Sequence, residues 1–251
     1  MKKILYVFLC VATLGFTFVA FANLEKKSIN TSKKTLIIGT DPQYAPFTFL
    51  DNNNKNVGFD IDIMTEIAKE LNYNIKYLNM NFEGLLPSLL TEKINLIAGS
   101  MVITEERAKK INFSDEYYKA GLSIVVNINN NNIKSVKDLK GKTIGVHIGT
   151  VGAYYAHTIK DVKIVEFDNM ADVWLAIINN KVDAMINDHP MNLYYIKTKG
   201  NIVKIVGDIL ETQYFGFGIN KNAQDLLNNV NEVLRKMKKD GRYDKIYKKW
   251  F

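Results

Sequence analysis

Cysteine is almost absent from this 251-residue sequence, since Cys10 is the only one. It lies inside an uncharged apolar stretch near the N-terminus and lacks the small neighbours that a lipidated cysteine requires. If that stretch is removed as a signal peptide, the mature chain contains no cysteine. Disulfide bonds, cysteine–metal sites and thiol nucleophiles are then excluded, and the stability of the chain depends on its hydrophobic core.

Histidine is also scarce, and common catalytic and nucleotide-binding motifs are missing. The three histidines, His147, His157 and His189, share no helical spacing that would place them around a metal ion. No phosphate loop, nucleophile motif, internal repeat or Pro/Gly/Ser-rich linker occurs in the sequence. We therefore expect no metal and no other cofactor.

The N-terminus has the pattern of a secretory signal. Two lysines precede an uncharged run from Ile4 to Val19, and Ala20-Phe21-Ala22 matches the A-x-A cleavage pattern. An uncleaved membrane anchor is the alternative, because about 20 apolar residues can span a bilayer. The cleavage pattern favours a signal peptide over residues 1–22, followed by a polar leader over residues 23–34.

The formal net charge is +7, and cationic side chains cluster toward the C-terminus. Such a cluster is typical either of a surface that binds nucleic acid or membrane, or of a solvated helix face. No RNA- or DNA-binding motif accompanies it, so we interpret it as a solvated face and expect no nucleic-acid partner. The residues are Lys236, Lys238, Lys239, Arg242, Lys245, Lys248 and Lys249.

Hydrophobic periodicity indicates alternating strands and helices, which predicts an α/β fold with parallel sheets. The hydrophobic content of 47% is sufficient for one large domain or for two lobes with separate cores. Asp60 is predicted to cap the helix that begins at Phe59. The predicted strands cover 36–39, 75–78, 94–98, 122–126, 143–146, 163–167, 182–186, 202–206 and 214–219. The predicted helices cover 59–71, 85–91, a segment from Thr104, 150–159, 169–179, 190–198, 222–239 and a short segment at the C-terminus.

Polar and aromatic residues follow five of the predicted strands. Ligands of open α/β sheets bind at the carboxyl ends of strands, so these residues form the candidate site. The segments, in chain order, are Thr40–Phe47, Asn79–Gly84, Gly99–Arg107, His147–Gly152 and Asn187–Pro190.

Together the five segments suit a free α-amino acid. Its carboxylate requires a bidentate arginine and backbone N–H groups at a helix N-terminus, which Arg107 and the turn at 149–151 can provide. Its ammonium group requires a carboxylate, and Asp188 can provide one. A lone arginine at a helix start is more often a solvated charge, so the prediction rests on the combination.

The side chain of such a ligand requires apolar walls and a polar group at its end. Tyr44 and Phe82 can form the walls, and Asp41 can accept a hydrogen bond from the end. A lone aromatic residue is more often part of the core, so this assignment also depends on the neighbouring segments.

Sequence motifs along almost the whole mature chain resemble one family, the periplasmic solute-binding proteins of polar amino acid ABC transporters. The G-F-D-x-D helix start and the I-T-x-x-R segment are the most specific of them, and the closest likeness is to glutamine-binding members. The matching stretches are "GFDIDIMTEIAKEL" at 58–71, "ITEERAKKINFSDEYYKAGL" at 103–122, "SVKDLKGKTIGV" at 135–146, "NLYYIKTKGN" at 192–201 and "DGRYDKIYKKWF" at 240–251.

The resemblance implies a two-lobed periplasmic binding protein fold of type II, with parallel or mixed sheets flanked by helices. The first lobe would comprise residues 35–118 plus 217–251, and the second residues 119–216. Hinge segments would lie near 118–122 and 213–216. The ligand would bind between the lobes and close them.

The resemblance also assigns ligand contacts to residues of this sequence. Arg107 would bind the carboxylate and Asp188 the ammonium group, while Tyr44 and Phe82 would enclose the side chain and Asp41 would contact its polar end. The backbone carbonyl of Ser100 would accept from the ammonium group, and the backbone N–H of Val151 would donate to the carboxylate.

Three positions depart from the family pattern. Val102 stands where the family usually has Thr or Ser, so the backbone N–H is kept and the hydroxyl is lost. His147 stands where glutamine-binding members have lysine, and Asn187 where they have histidine. The last two departures affect the side-chain end of the site and leave the identity of the amino acid open.

The resemblance implies a non-enzymatic, monomeric periplasmic protein that delivers a polar amino acid to an ABC transporter permease in the inner membrane. Glutamine is the first expectation, with arginine, histidine or lysine as alternatives. The same fold also serves cyclohexadienyl dehydratases, for which Glu83, His147 and His189 would be the candidate acids and bases. A surface adhesin or sensor is a further alternative, without an additional domain to support it.

Overall fold

The computed structural model describes residues 33–251. The predicted signal peptide over 1–22 and residues 23–32 of the predicted leader lie outside the described residues. None of the helices between residues 33 and 251 combines the length and apolar character that crossing a bilayer demands.

Strands and helices alternate along the described chain, as the periodicity predicts. The strands are β1 (Thr35–Thr40), β2 (Gln43–Tyr44), β3 (Thr48–Leu50), β4 (Asn56–Val57), β5 (Asn74–Asn79), β6 (Leu96–Ile97), β7 (Asn112–Phe113), β8 (Tyr118–Asn127), β9 (Thr143–His147), β10 (Lys163–Phe167), β11 (Ala184–Asp188), β12 (Val203–Val206), β13 (Thr212–Phe215) and β14 (Gly218–Ile219). The helices are α1 (Phe59–Glu70), α2 (Phe82–Leu90), α3 (Glu105–Lys110), α4 (Val151–Thr158), α5 (Met170–Ile178), α6 (His189–Lys199), α7 (Gln224–Asp240) and α8 (Arg242–Trp250), with a 3₁₀ turn at Val136–Leu139.

Two mixed sheets form the two lobes. The first has the order β5-β1-β6-β14-β7, in which β5, β1 and β6 are parallel and β14 is antiparallel to its neighbours. The second has the order β10-β9-β11-β8-β12, in which β10, β9 and β11 are parallel and β8 is antiparallel to β11 and β12. The sheets are mixed, as the family resemblance allows, whereas the alternation of strands and helices by itself indicates only their parallel parts. The antiparallel strands β8 and β14 lie next to the crossings between the lobes. They enter their sheets without a helical crossover, which parallel neighbours require.

The lobes have separate hydrophobic cores. The first core buries the apolar residues of β1 and α1 against α2, α7 and the aromatic residues Phe47, Phe59 and Phe215. The second sheet is covered on both faces, by α4 on one side and by α5 on the other. Each lobe therefore has a rigid scaffold, and loops at the strand ends are free to form a site.

The crossing between the lobes is an antiparallel ribbon of β8 and β13. Residues Thr212–Phe215 pair with Tyr118–Gly121, and the rest of β8 continues into the second sheet. The prediction placed the start of this strand at 122, because residues 118–121 carry no apolar pattern. The predicted strand over 214–219 is two strands, β13 and β14, separated by Gly216 and Phe217.

Helix α1 begins differently from the prediction. Gly58, not Asp60, occupies the N-cap position, and Asp60 lies in the first turn with no exposed surface. The φ angle of Gly58 is 135°, and a Cβ atom on this residue would lie 2.0 Å from the carbonyl oxygen of Phe47. Only glycine fits here, because this backbone region and this contact both exclude a side chain.

We expect Gly58→Ala to lower the free energy of unfolding by about 3 kcal/mol or more, because backbone strain adds to a clash with Phe47. Gly141→Ala is the matched control, since Gly141 has a φ of 74° and open space around its Cβ position. Gly141→Ala should lower the free energy of unfolding by about 1 kcal/mol. Urea unfolding of both variants measures the difference, and equal losses would contradict the role assigned to Gly58.

Candidate functional site

The residues predicted from the strand ends converge between the two lobes. Asp41 follows β1, Phe82 opens α2 and Arg107 lies in α3, all in the first lobe. His147 ends β9 and Asp188 ends β11 in the second lobe. The prediction placed Asp188 in a loop after its strand, whereas it belongs to β11 and directly precedes α6.

Three buried rings form the centre of the site. The ring centroids of Tyr44 and Phe82 lie 5.7 Å apart, and those of Tyr44 and His147 also lie 5.7 Å apart. Phe82 and His147 are 6.3 Å apart. The Tyr44 hydroxyl is hydrogen-bonded to Nδ1 of His147, so the cluster joins the two lobes.

The hydrogen bonds of His147 determine which ring nitrogen carries the proton. Nε2 lies 3.1 Å from the backbone carbonyl oxygen of Asp168, which can only accept, so Nε2 is protonated. Nδ1 is then an acceptor, and the Tyr44 hydroxyl donates to it. Burial lowers the pKa of His147, so this side of the site is lined by a neutral imidazole.

Arg107 is a buried cation that bridges the lobes. Its backbone N–H donates to Oγ1 of Thr104 at 3.2 Å, which caps α3 and confirms the helix start predicted at Thr104. Its guanidinium donates to the carbonyl oxygens of Val102 at 2.8 Å and Gly149 at 3.0 Å. The guanidinium carbon also lies 5.4 Å from the ring centroid of Phe82.

Two buried carboxylates face the same region. Burial raises the pKa of Asp188 to about 7, an effect that the Arg107 charge partly offsets. Burial likewise raises the pKa of Asp41 to about 6, although the N–H groups of Phe82 and Gln43 oppose the rise. Oδ2 of Asp41 accepts from Phe82 N–H at 3.0 Å. Oδ1 of Asp41 and Oδ1 of Asp188 have no hydrogen-bond partner within residues 33–251, so each can accept from a ligand cation.

Val102 forms one antiparallel bridge with Phe215 in the hinge ribbon. The hydrogen bonds of this bridge are made by the neighbours, from Ile103 N–H to Tyr214 at 2.9 Å and from Gly216 N–H to Met101 at 3.1 Å. In such a pair the N–H and C=O of the bridged residue point away from the partner strand. The Val102 carbonyl accepts a hydrogen bond from the Arg107 guanidinium. The Val102 N–H therefore points to the side on which Arg107 lies, as expected for a contact with the ligand carboxylate.

Val151 is the first residue of α4, which Thr150 caps by accepting from Ala153 N–H at 3.2 Å. The N–H of a first helical residue has no partner within its helix. Val151 also lines a cleft of about 520 Å³ together with Phe82, Arg107 and Tyr154. This cleft leads from the surface to the Arg107 side of the site.

Asn187 is the predicted residue that the structure does not bring to the aromatic cluster. Its side-chain N–H donates to Oδ1 of Asn192 at 2.9 Å, and Asn192 donates to Oγ of Ser123 at 2.9 Å. The amide group is therefore engaged in a buried network of the second lobe. Asn187 instead lines a small crevice of about 90 Å³ together with Gln43 and Trp174.

Sequence reasoning gave no individual role to Gln43, which lies in the predicted Thr40–Phe47 segment. Oε1 of Gln43 accepts from the N–H of Ala171 in α5 at 3.4 Å, across the lobes. In the part of the chain from Lys33 onward, three side-chain hydrogen bonds outside the hinge join the lobes, namely Tyr44–His147, Arg107–Gly149 and Gln43–Ala171. No local pattern marks Gln43, because its partner is far away in sequence.

Ser100 has a φ of 46°, in the left-handed region. Its N–H donates to Oδ2 of Asp60 at 2.8 Å, and its hydroxyl has no partner within residues 33–251.

Over the same residues, no group of three or more His, Cys, Asp or Glu side chains is arranged to hold a metal ion.

The comparison with known families decides the class of this protein. The sequence profile of the bacterial extracellular solute-binding proteins, family 3, matches residues 36–251. The chain belongs to this family. The two-lobed fold expected from the sequence motifs is confirmed by the same comparison and by solved structures of related proteins.

Curated and solved relatives cover nearly all of the family region. A probable histidine-binding protein of Campylobacter jejuni is 34% identical over 255 residues, which is 100% of this chain and 99% of the relative. An ancestral arginine-binding protein bound to glutamine is 42% identical with a TM-score of 0.84, covering 87% of this chain and 98% of the other. An ancestral amino acid-binding protein described as a precursor of cyclohexadienyl dehydratase is 40% identical with a TM-score of 0.82, covering 86% and 95%.

The tautomer of His147 is a direct test of this geometry. We expect ¹⁵N chemical shifts to identify a neutral imidazole with the proton on Nε2, because Nε2 donates to Asp168 and Nδ1 accepts from Tyr44. The ring should titrate below the ordinary histidine value of about 6.5, since burial disfavours the cation. His147→Gln assigns the resonance among the three histidines. A proton on Nδ1 would contradict the assignment.

Proposed function

We propose that this protein captures a free polar L-amino acid between its lobes and delivers it to the permease of an ABC transporter. The observation that carries the proposal is the group of buried charges around Tyr44, namely the Arg107 guanidinium and the carboxyls of Asp188 and Asp41, each carboxyl with an unpaired oxygen. Membership of the solute-binding family supports it. The protein acts in the periplasm as a monomer.

The site offers a separate set of partners to each charged group of the ligand. Arg107 and the N–H groups of Val102 and Val151 bind the carboxylate, as anions bind at helix N-termini. Asp188 and the carbonyl of Ser100 bind the ammonium group. The ligand side chain lies against Tyr44 and Phe82 and extends toward Asp41 and His147, while Asn187 lies behind this end.

The charge balance favours a cationic side chain, and arginine first. Within the site one cation, Arg107, faces two acids, Asp41 and Asp188, so their ionised forms leave a net negative charge. An amino acid with a positive side chain neutralises this charge, whereas a neutral one does not. His147 is neutral and does not repel a cation, as a lysine would. Relatives of this chain are named as histidine-binding and arginine-binding proteins.

Glutamine is the second candidate and the first expectation from sequence likeness. Its side-chain amide can donate to Asp41 as a guanidinium does, although with a weaker hydrogen bond. The ancestral arginine-binding protein was solved with glutamine bound, so a related site holds both kinds of side chain. Histidine and lysine remain further candidates.

Catalysis is not part of the proposal. Glu83 is exposed on the surface of α2, and His189 is half-buried at the start of α6. Both ring nitrogens of His147 are engaged, by Tyr44 and by Asp168, so its imidazole is not available as an acid or base, and the two carboxyls of the site, Asp41 and Asp188, are assigned to ligand cations. The relative described as a dehydratase precursor is itself named an amino acid-binding protein. Release of phenylpyruvate from prephenate by the purified protein would overturn this conclusion.

The lobes of the proposed binding cycle comprise 35–118 plus 217–251 and 119–216, with hinge segments near 118–122 and 213–216. The ribbon of β8 and β13 is the covalent connection, and the site lies beside it. Closing brings the carboxylate partner Arg107 and the ammonium partner Asp188 together from opposite lobes. The ligand itself therefore stabilises the closed form.

Asp41→Asn separates the candidate ligands. Binding of L-arginine should weaken by about 3 kcal/mol or more, because a buried cation loses its counter-charge. Binding of L-glutamine should weaken by only about 1 kcal/mol, since a neutral hydrogen bond can be kept. Isothermal titration of the wild type and the variant with both amino acids measures the difference.

Two further variants complete this experiment. Arg107→Ala should weaken both ligands alike by about 3 kcal/mol, because the carboxylate is common to them. Arg235→Ala removes a cation from an exposed pair with Asp115, far along the chain from the site, and should change neither affinity. Absence of binding by the wild type to all free amino acids would refute the proposed function.

The pH dependence of binding follows from the raised pKa values of Asp188 and Asp41. The ligand cation favours the ionised carboxylates, so binding releases protons. The affinity therefore decreases as the pH is lowered. Between about pH 7.5 and about pH 5.5 we expect a loss of roughly tenfold for L-arginine. Titration calorimetry in buffers of different ionisation enthalpy measures the released protons.

The ligand-free protein should respond in the opposite direction. A carboxyl whose pKa is raised on folding stabilises the fold at low pH, and this contribution is lost as pH rises through about 6 to 7. Asp188→Asn should reduce both the pH dependence of ligand affinity and the pH dependence of the free energy of unfolding. Proton uptake on binding would contradict the assignment of Asp188 as the ammonium partner.

A further inference from the structure

Asp60 is a completely buried carboxylate outside the proposed ligand contacts. It lies in the first turn of α1, where a negative charge is favourable. No Lys, Arg or His of residues 33–251 forms an ion pair with it. Instead, its Oδ2 accepts two hydrogen bonds at 2.8 Å, from the N–H of Ser100 and from the hydroxyl of Tyr117.

Ser100 adopts a conformation that requires external support. Its φ of 46° lies in the left-handed region, which residues with a Cβ atom disfavour. The Ser100 hydroxyl makes no hydrogen bond to any described residue, so it does not stabilise this backbone. The hydrogen bond from its N–H to Asp60 is therefore the contact that holds the conformation.

Tyr117 connects the same carboxylate to the hinge. Its ring is buried and stacks on Phe217 with centroids 4.3 Å apart, and its N–H donates to Phe215 at 2.9 Å. The next residue, Tyr118, begins β8, the first strand of the hinge ribbon. One oxygen of Asp60 thus contacts both the backbone of Ser100 and the start of the crossing between the lobes.

We propose that Asp60 is a positioning residue for the ammonium contact. It holds Ser100 in the left-handed conformation, in which the Ser100 carbonyl faces the ligand ammonium group. Through its hydrogen bond with Tyr117 it also connects this contact to the hinge. The inference rests on the proposed function, because it assigns the Ser100 carbonyl to the ammonium group. Asp60 does not contact the ligand, and its effect on binding is transmitted through the backbone of Ser100.

The chemistry of the contact predicts which substitutions are tolerated. Both donors share one oxygen, so the amide oxygen of an asparagine can accept both hydrogen bonds. An alanine can accept neither, and leaves Ser100 without support. Glycine at position 100 adopts positive φ without a penalty, and its backbone carbonyl is unchanged. Asp60→Ala combined with Ser100→Gly should therefore recover what Asp60→Ala alone loses.

Asp62 provides a matched control within the same helical turn. It also accepts two donors on one oxygen, from Lys249 at 2.7 Å and Trp250 at 2.8 Å, but these belong to α8. Asp62→Ala removes the same number of hydrogen bonds from the same helix, at a half-buried and not a fully buried position. A loss of stability alone would affect both variants, whereas a loss of positioning affects only Asp60→Ala.

The experiment measures the affinity for L-arginine, and for L-glutamine if the wild type prefers it, by isothermal titration. Asp60→Ala should bind about tenfold more weakly, Asp60→Asn within about threefold of wild type, and Asp62→Ala like wild type. The double variant of Asp60→Ala with Ser100→Gly should regain most of the loss. Failure of the glycine to restore binding, or an equal loss in Asp62→Ala, would overturn the proposal.

A structural readout separates this proposal from the proposed function. If the wild type binds no free amino acid, the proposed function fails, but the role of Asp60 can still be judged. Crystal structures of wild type and Asp60→Asn should then have Ser100 at positive φ, and Asp60→Ala should have a different Ser100 backbone. An unchanged Ser100 backbone in Asp60→Ala would overturn the positioning role. If Asp60→Ala does not fold, the test is made on Asp60→Asn, and a changed Ser100 backbone in that variant would overturn the role.

Discussion

The buried guanidinium of Arg107 is the interaction on which the rest of the site depends. A cation removed from water must be compensated by hydrogen bonds and opposite charge, or the closed arrangement is lost. Two carbonyl groups, from Val102 in the first lobe and Gly149 in the second, provide the hydrogen bonds. Asp188 provides opposite charge from the second lobe, and the Arg107 charge partly offsets the rise in the pKa of Asp188 that burial causes. The electrostatic balance of the site is therefore shared between lobes and exists only when they meet.

The hinge ribbon explains why this balance can be made and broken. The lobes have their own cores and are connected through β8 and β13, so in the proposed binding cycle a change at the ribbon would move the lobes without disturbing their interiors. Val102 lies against this ribbon through its bridge to Phe215, and Asp60 reaches it through Tyr117. In the proposed site, the carboxylate and ammonium ends therefore lie next to the hinge, whereas the side-chain end combines Asp41, in the loop after β1, with His147, the last residue of β9.

Periodicity and strand ends predicted most of the fold and the charged core of the site. Parallel strands bring their carboxyl ends to one edge of each sheet, which is why Asp41 and Arg107 could be expected at one edge of the first lobe and Asp188 at one edge of the second. The small sheet of β2, β3 and β4 was not predicted, because strands of two or three residues have no measurable period. The contacts of Asp60 and Asn187 were not predicted either, since each depends on a partner outside the local pattern. Local residue types identify which groups meet, and tertiary packing decides how each one is oriented.

The crevice beside Gln43 has an optical consequence. Trp174 stacks on Tyr195 with ring centroids 3.7 Å apart, and both line this crevice in the second lobe, opposite Gln43 of the first. Trp250, the other tryptophan, donates to Asp62 within the first lobe. The two indoles thus sample different environments, one at the seam between the moving bodies and one inside a single body. If the lobes separate as proposed, intrinsic fluorescence from Trp174 would report it without a chemical label, and a Trp250→Phe variant would isolate the Trp174 signal.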